Sequence, residues 1–395
     1  MSGAPGGPRG WVLLGNPGNR RVALFQAALA AAGQPPARVV AWRDLLASEG
    51  AALSRALVAG DALRIDSPGE DPQVERELIA WGAGVADPEQ PRAARIDAAA
   101  ARALPDDPGR ILYPRQWYLG LRAALLACAR ALEGRAVEVG SDPQDVACMF
   151  DKRACQARLA AAGVSVPPAL PGQPETWDQL RATMQEAGRA RVFVKLRCGS
   201  SASGVVALET RPEGVLAHTT VELVREGGAE RLYNSLRVRR YRQEHEVAAL
   251  IEALLREGCQ VEAWLPKASL GGRSFDLRVV VIAGRARHCV VRTSRTPLTN
   301  LHLGNRRGDL PAAQALLGPR WGQVLGLAER AAGVFPRARQ VGVDLLVGAS
   351  LRRLAVLELN AFGDLLPGVL HAGQDTYAAQ VAAFTSDTPS LVVSS

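Results

Sequence analysis

The chain has 395 residues, 48% hydrophobic and 22% charged, a composition that suits a soluble globular protein of two or three domains. No apolar run approaches the ~18 residues that a membrane-spanning helix needs, and the opening MSGAPGGPRG lacks a cationic-then-apolar signal, so no membrane partner is expected and the cytoplasm is the expected location. The net charge of +8 is carried by basic residues spread along the chain without aromatic interleaving, which argues against nucleic acid as a partner.

In chain order, WVLLG from residue 11 reads as a strand, NPGNRR as a turn and VALFQAALAAAG as a helix ending at Gly33. ARVVAW is a second strand, giving a βαβ opening. Asp44–Leu57 predicts one helix, 62–65 a strand, and DSPGED a loop at that strand's end. Helical patterns cover 74–83 and 116–132, with a Pro-, Asp- and Ala-rich loop and one short helix between them. Residues 137–140 form a strand, and SDPQDV reads as a helix start with early acids.

A second region begins near residue 141. Asp145–Ala162 predicts one helix, stopped by Gly163. Arg191–Leu196 is a strand, CGSSASG a loop, and VVALET a return strand. Residues 215–240 add strands, Gln243–Gly258 is a helix, and CQVEAWLP is a strand or hinge. FDLRVVVIAG and ARHCVVRTS form a strand pair, and TNLHLGNRRGD is a polar loop. Ala312–Gly333 is helical, a hairpin spans 341–360, and a last helix lies near 374–384. Residues 1–10 and 386–395 are expected to be a flexible lead-in and a tail.

The six cysteines include no CxxC pair and no nearby histidine, so neither a zinc site nor a disulfide framework is expected. The chain has only three lysines, Lys152, Lys195 and Lys267. Arginine has replaced lysine nearly everywhere, and a surface charge tolerates that exchange. A position needing a compact point charge on a thin stem does not.

The hairpin places Asp344, Glu358 and Asn360 in otherwise apolar strands. Glu358 and Asn360 share a face. A fold about residue 351 sets Asp344 opposite Glu358, about 4.5–5.5 Å apart as cross-strand pairs are. Two carboxylates that close suit a hard divalent cation such as Mg²⁺. The competing reading is that these side chains face solvent on an edge strand. Lys195 ends a strand just before the small-residue loop 198–204, which can offer backbone N–H groups to phosphate. The loop is otherwise a plain hairpin tip, and no Walker A pattern is present. Asp276 and Arg278 share a strand face, and Arg292 sits on the partner strand. These three read either as phosphate-facing groups or as structural ion pairs.

In this order, the parts resemble the ATP-grasp superfamily, within it the RimK-type and glutathione-synthetase-like carboxylate–amine ligases, over roughly residues 141–385. The resemblance implies an α/β fold, α+β in part: an ATP-grasp fold preceded by a Rossmann-like preATP-grasp domain. It divides the chain into a preATP-grasp domain (11–140), subdomain A (141–260) and subdomain B with the metal site (261–385). It implies ATP and Mg²⁺ (or Mn²⁺) as cofactors. Lys152 and Lys195 match the phosphate-contacting lysines, and Gly199–Gly204, with Ser200 and Ser201, matches the phosphate-covering loop. Glu262, Ala263, Trp264 and Leu265 match the linker whose backbone reads adenine. Arg278 and Arg292 match arginines facing phosphate and acyl phosphate, Asn300 matches the Asn of an N-x-H-x-G loop, and Asp344, Glu358 and Asn360 match the metal ligands. With Lys195, the two arginines are the catalytic candidates.

The implied activity joins a small-molecule or peptide carboxylate to an amine through an acyl phosphate, with ADP release, in a chain that can form homo-oligomers. The alternatives are an ATP-binding relative without turnover, serving as sensor or scaffold, and an ATP-grasp kinase. Ala202 stands where the family loop has glycine, and Val261-Glu262 where it has Gln-Glu. Lys267 matches nothing in the pattern and reads as a surface charge. Substrate choice is expected to lie in loops 16–20, 66–71 and 293–309, with GNRRGD (304–309) as a clamp on an anionic substrate.

Overall fold

The computed structural model describes residues 7–199, 203–362 and 366–385. Ser200, Ser201 and Ala202 of the small-residue loop lie outside the described residues, as do most of the lead-in and the tail.

The N-terminal part is a parallel sheet of β1 (Gly10–Gly15), β2 (Arg38–Ala41), β3 (Asp61–Ile65) and β4 (Glu138–Val139), in the order β2-β1-β3-β4. The strands are short, and their central residues, such as Val12, Leu14 and Leu63, are apolar because helices cover the sheet. The Arg20–Ala31 helix starts where the Asn19 side chain accepts from the Arg21 N–H at 2.8 Å. Helices Pro72–Ala83 and Pro114–Leu132 cross at two glycines. A Cβ added to Gly120 would lie 1.8 Å from the Leu78 carbonyl oxygen, and one added to Gly82 would lie 1.9 Å from that of Gln116. Backbone cannot yield as a flexible side chain does. Gly120→Ala is therefore expected to destabilise the protein by about 3 kcal/mol or more, the upper end of overpacking costs, read as a lowered urea midpoint.

A five-stranded antiparallel sheet follows: β5 (Arg191–Leu196), β6 (Val205–Arg211), β7 (Gly214–Glu226), β8 (Ala229–Tyr241) and β9 (Cys259–Ala263), ordered β8-β7-β6-β5-β9. Helices Trp177–Glu186 and Glu244–Arg256 back it. The last sheet holds β10 (Ser269–Leu270), β11 (Arg273–Ile282), β12 (Arg285–Ser294), β13 (Arg306–Arg307), β14 (Gln340–Val347) and β15 (Leu354–Asn360). Its order is β13-β12-β11-β14-β15, with β10 on β11, and helix Trp321–Gly333 packs on its back.

The cores are not divided evenly. One apolar cluster runs without a break from Val12, Leu63 and Leu121 to Leu277, Val343 and Leu359, fusing the parallel sheet to the last sheet. The middle sheet has its own core of Val192, Val194, Leu208, Leu250 and Val261. The molecule is thus a broad base with a separately packed lid. The helix Thr376–Thr385 returns to the N-terminal sheet, where Phe384 meets Trp11 edge-on at 5.1 Å and Tyr377 faces Phe25.

Three expected helices are broken. The one over Asp44–Leu57 is two, Trp42–Ala47 and Ala51–Ala56, separated at Gly50 with φ +93°. The one over Asp145–Ala162 is split into Pro143–Phe150 and Lys152–Ala161 by extended Asp151. Asp151 caps the second helix through the Arg153 and Ala154 N–H groups and is gripped by Arg197 at 2.6 Å and Arg115 at 3.4 Å. Capping and charge outweigh one lost helical turn. The one over Ala312–Gly333 becomes Leu310–Leu317 and Trp321–Gly333, joined by a 3-10 turn containing Pro319.

Candidate active site

Strand alternation builds one pocket between lid and base. On β5, Val192, Val194 and Leu196 enter the lid core, so Phe193 and Lys195 face the other way. On β11, Phe275, Leu277 and Val279 enter the base core, which turns Asp276 and Arg278 toward the lid. Asp344 pairs with Arg278 on one side and with Glu358 on the other. The β14–β15 register shifts just after Asp344, so Leu357 is an extra residue that bulges β15 beside Glu358. The enclosed space is about 780 Å³, its open mouth included.

All three lysines of the chain line it. Lys152 donates to Glu358 Oε1 at 2.8 Å and to the Gly199 carbonyl at 2.5 Å. Lys195 is paired with Glu262. Lys267 is not a surface charge, contrary to expectation. Its side chain is only 9% exposed. Its ammonium meets Asp276 Oδ2 at 2.9 Å, Thr299 Oγ1 at 2.6 Å and the Pro297 carbonyl at 3.4 Å. Three acceptors for three donors is what an ammonium can satisfy and a planar guanidinium cannot.

Asp276 and Arg278 do not pair with each other. Asp276 accepts from Arg292 Nε at 2.8 Å and also from Thr299. Arg278 takes both oxygens of Asp344, and Arg292 Nη2 lies 3.1 Å from Asp344 Oδ2. Burial alone would raise both carboxyls, but Arg292 and Lys267 around Asp276, and Arg278 and Arg292 around Asp344, hold them below the usual carboxylate range. Burial lowers the Lys267 ammonium, and Asp276 only partly restores it. Burial would lower Lys152 too, but Glu358 raises it above the ordinary value.

Of the expected site residues, Lys152, Lys195, Gly199, Glu262, Ala263, Leu265, Arg292, Asn300, Asp344 and Glu358 all line this pocket. Arg278 stands behind Asp344. Trp264 packs on Phe193 at 5.4 Å rather than lining the space. The Ala263 and Trp264 N–H groups are spent on the Pro168 and Arg191 carbonyls. Gly204 has φ +66°, and a Cβ there would meet Leu196 at 2.2 Å, so the end of the loop requires glycine. Asn360 donates to the Gly342 carbonyl at 3.4 Å and lines a second, adjoining cleft. Arg306 and Arg307 are exposed on β13, with Arg307 donating to the Pro367 carbonyl, and line neither space.

The oxygen donors of Asp344, Glu358 and Asn360 are those a hard divalent cation takes. Glu358 suits one best, since its side chain is 33% exposed and shares one oxygen with Lys152. Asp344 is committed to two guanidinium groups. No group of three His, Cys, Asp or Glu side chains able to hold a metal exists among the described residues.

No protein-family model matches the sequence, and no curated protein matches it. Solved structures do match the fold. The ATP-grasp ligase PsnB, complexed with a phosphomimetic variant of minimal precursor, Mg and ADP, aligns over 95% of this chain and 97% of its own at a TM-score of 0.53 and 19% identity. The D-cycloserine synthetase DcsG aligns over 94% and 98%, at 0.52 and 15%. The N5-carboxyaminoimidazole synthetase from Staphylococcus aureus, complexed with ADP, aligns over 97% and 79%, at 0.52 and 12%. The chain has the fold of ATP-grasp ligases, with the parallel sheet as its N-terminal part.

Lys267 and Thr299 escaped the sequence reading. The scarcity of lysine was a usable signal for the first. Nothing in spacing marks the second, which reaches Asp276 through a loop.

Proposed function

We propose that the protein is an ATP- and Mg²⁺-dependent ligase that joins a carboxylate to an amine through an acyl phosphate, releasing ADP. The observation that carries this reading is the convergence of all three lysines, Arg292, Asp344 and Glu358 on one pocket between lid and base. Lys152 and Lys195 line this pocket with Glu358 and would contact the triphosphate. Glu358 and Asp344, with Asn360, would hold Mg²⁺, which offsets charge on the transferring phosphoryl group when bound. Arg292, fixed by Asp276, offers its guanidinium to the anionic oxygens of the acyl phosphate. Arg278 orients Asp344. The substrate carboxylate would attack the γ-phosphorus, with ADP leaving on its bonding pair. The neutral amine would then displace phosphate, which leaves with the bonding pair and takes up the proton that the nitrogen sheds as the amide forms.

Calorimetry of ATP with and without Mg²⁺ tests this. Native protein is expected to bind Mg–ATP, and Glu358→Gln to weaken it more than about tenfold, roughly 1.4 kcal/mol. No binding by native protein would end the ligase reading. A product with stable phosphate, rather than a hydroxylamine-trapped acyl group, would make it a kinase.

Lys267 gives a further prediction. Lys267→Arg keeps the charge but cannot reproduce three tetrahedral contacts, so Mg–ATP affinity is expected to fall about tenfold, about 1.4 kcal/mol. The reverse exchange at an exposed position, Arg9→Lys, should change nothing measurable. Titration of both variants side by side checks it.

A further inference from the structure

The second cleft is the larger of the two, about 1470 Å³ with its open mouth, and meets the nucleotide pocket at Lys152, Gly199, Ser203 and Glu358. It lies beyond the carboxyl ends of β1 and β3, where open parallel sheets place ligands. Its wall is braced: Asn16 donates to the Pro68 and Gly69 carbonyls at 2.9 and 3.0 Å, and Asn19 donates to Glu70 at 2.8 Å. These contacts tie the two loops into one rim.

Three chemistries meet there. Arg21 lines the cleft, and its Nη1 is buried without a hydrogen-bond partner. Its ion partner, Asp66, is 4.0 Å away, a long pair beyond hydrogen-bond range, and has a buried oxygen without a hydrogen-bond partner in turn. A buried guanidinium nitrogen without a hydrogen bond is costly, and a carboxylate that accepts from Arg21 in the cleft removes that cost. Glu70 and Glu75 supply opposite charge on the same rim. The floor is apolar and aromatic, with Trp117 and Phe150 at 5.2 Å and Met149 beside them.

We infer that this cleft takes a zwitterionic substrate with a bulky apolar side chain, an amino acid or short peptide, its carboxylate on Arg21, its ammonium toward Glu70 and Glu75, and its side chain over Trp117 and Phe150. The inference rests on the ligase reading, because it makes this molecule one of the two ligation partners. A cleft for a small polar acid would need no aromatic floor. One for a simple fatty acid would need no acidic rim.

The test is calorimetry with Mg–AMPPNP present, using L-phenylalanine, L-leucine and L-phenylalanylglycine as probes. Phenylpropionate lacks the ammonium, phenethylamine lacks the carboxylate, and glycine lacks the apolar body. At least one of the three probes is expected to bind, and the matched compounds lacking one feature to bind at least tenfold more weakly. Arg21→Gln should remove the preference for phenylalanine over phenethylamine while Mg–AMPPNP still binds, which shows that the variant is folded. Trp117→Leu should narrow the gap between phenylalanine and glycine. Failure of native protein to bind Mg–AMPPNP would overturn the ligase reading and this inference with it. Mg–AMPPNP binding without any probe binding, or phenethylamine binding as tightly as phenylalanine, would overturn the inference alone.

Discussion

Asp276→Ala is expected to cost about 3–5 kcal/mol of stability, the range for breaking a buried ion pair by removing one partner. Asp276 is 1% exposed and is the acid shared by Arg292, Lys267 and Thr299. Its loss would leave two buried cations and only Asp344, already held by Arg278, to receive them. Urea unfolding should show the midpoint fall. Asp276→Asn should fall less, because an amide still accepts from Thr299 and Arg292. A loss within 1 kcal/mol for the alanine variant would mean that water restores the network.

The same pair of acids sets an acid limit. Asp276 and Asp344 both have carboxyls held below the ordinary range by arginines, with Lys267 added for Asp276. A folded-state pKa below the unfolded one means that the stabilisation is complete above about pH 4, the unfolded aspartate value. It is lost as pH falls from there through the folded-state values. Native protein should therefore lose stability steeply below about pH 4, and the Asp276→Asn variant less steeply. Urea midpoints measured across pH 2–7 would show it, and parallel curves for the two proteins would count against the network.

Lys195→Ala carries the second large effect. Lys195 neutralises Glu262, whose side chain is 3% exposed, so the alanine variant buries an unpaired carboxylate as well as losing its proposed phosphate contact. Mg–ATP affinity should fall more than about tenfold, roughly 1.4 kcal/mol, together with a stability loss of about 3–5 kcal/mol. The paired change Lys195→Met with Glu262→Gln separates the two. It should recover most of the stability and none of the affinity. Recovery of both would make Lys195 a structural partner of Glu262 and nothing more.

Much of the base was legible in the sequence because period-two patterning is local. Val341–Val347 and Leu354–Leu359 announce a hairpin, and folding it about its polar turn puts Asp344 against Glu358, as the strands do. Asp276 and Arg278 were placed on one face for the same reason. The Asp276–Arg292 pair was open to the sequence as one of two readings, and the other partners were not legible. Arg278 reaches Asp344, 66 residues away, and Asp276 reaches a loop threonine 23 residues on, choices made by tertiary packing. The break at Asp151 was missed because the helical pattern runs straight through it. Only the arrival of Arg115 and Arg197 makes the cap win. Roles in nucleotide binding came from the family resemblance and not from spacing.

The helix Thr376–Thr385 closes the apolar face of the very first strand, with Phe384 and Tyr377 lying on Trp11 and Phe25. On a ribosome, that face is made early and covered late. The nascent N-terminal sheet must wait with Trp11 and Phe25 covered only by each other and by their own helix while the lid and base are synthesised. A chain that stalled before Thr376 would lack the Phe384 and Tyr377 contacts and leave an apolar patch at the N-terminal sheet uncovered.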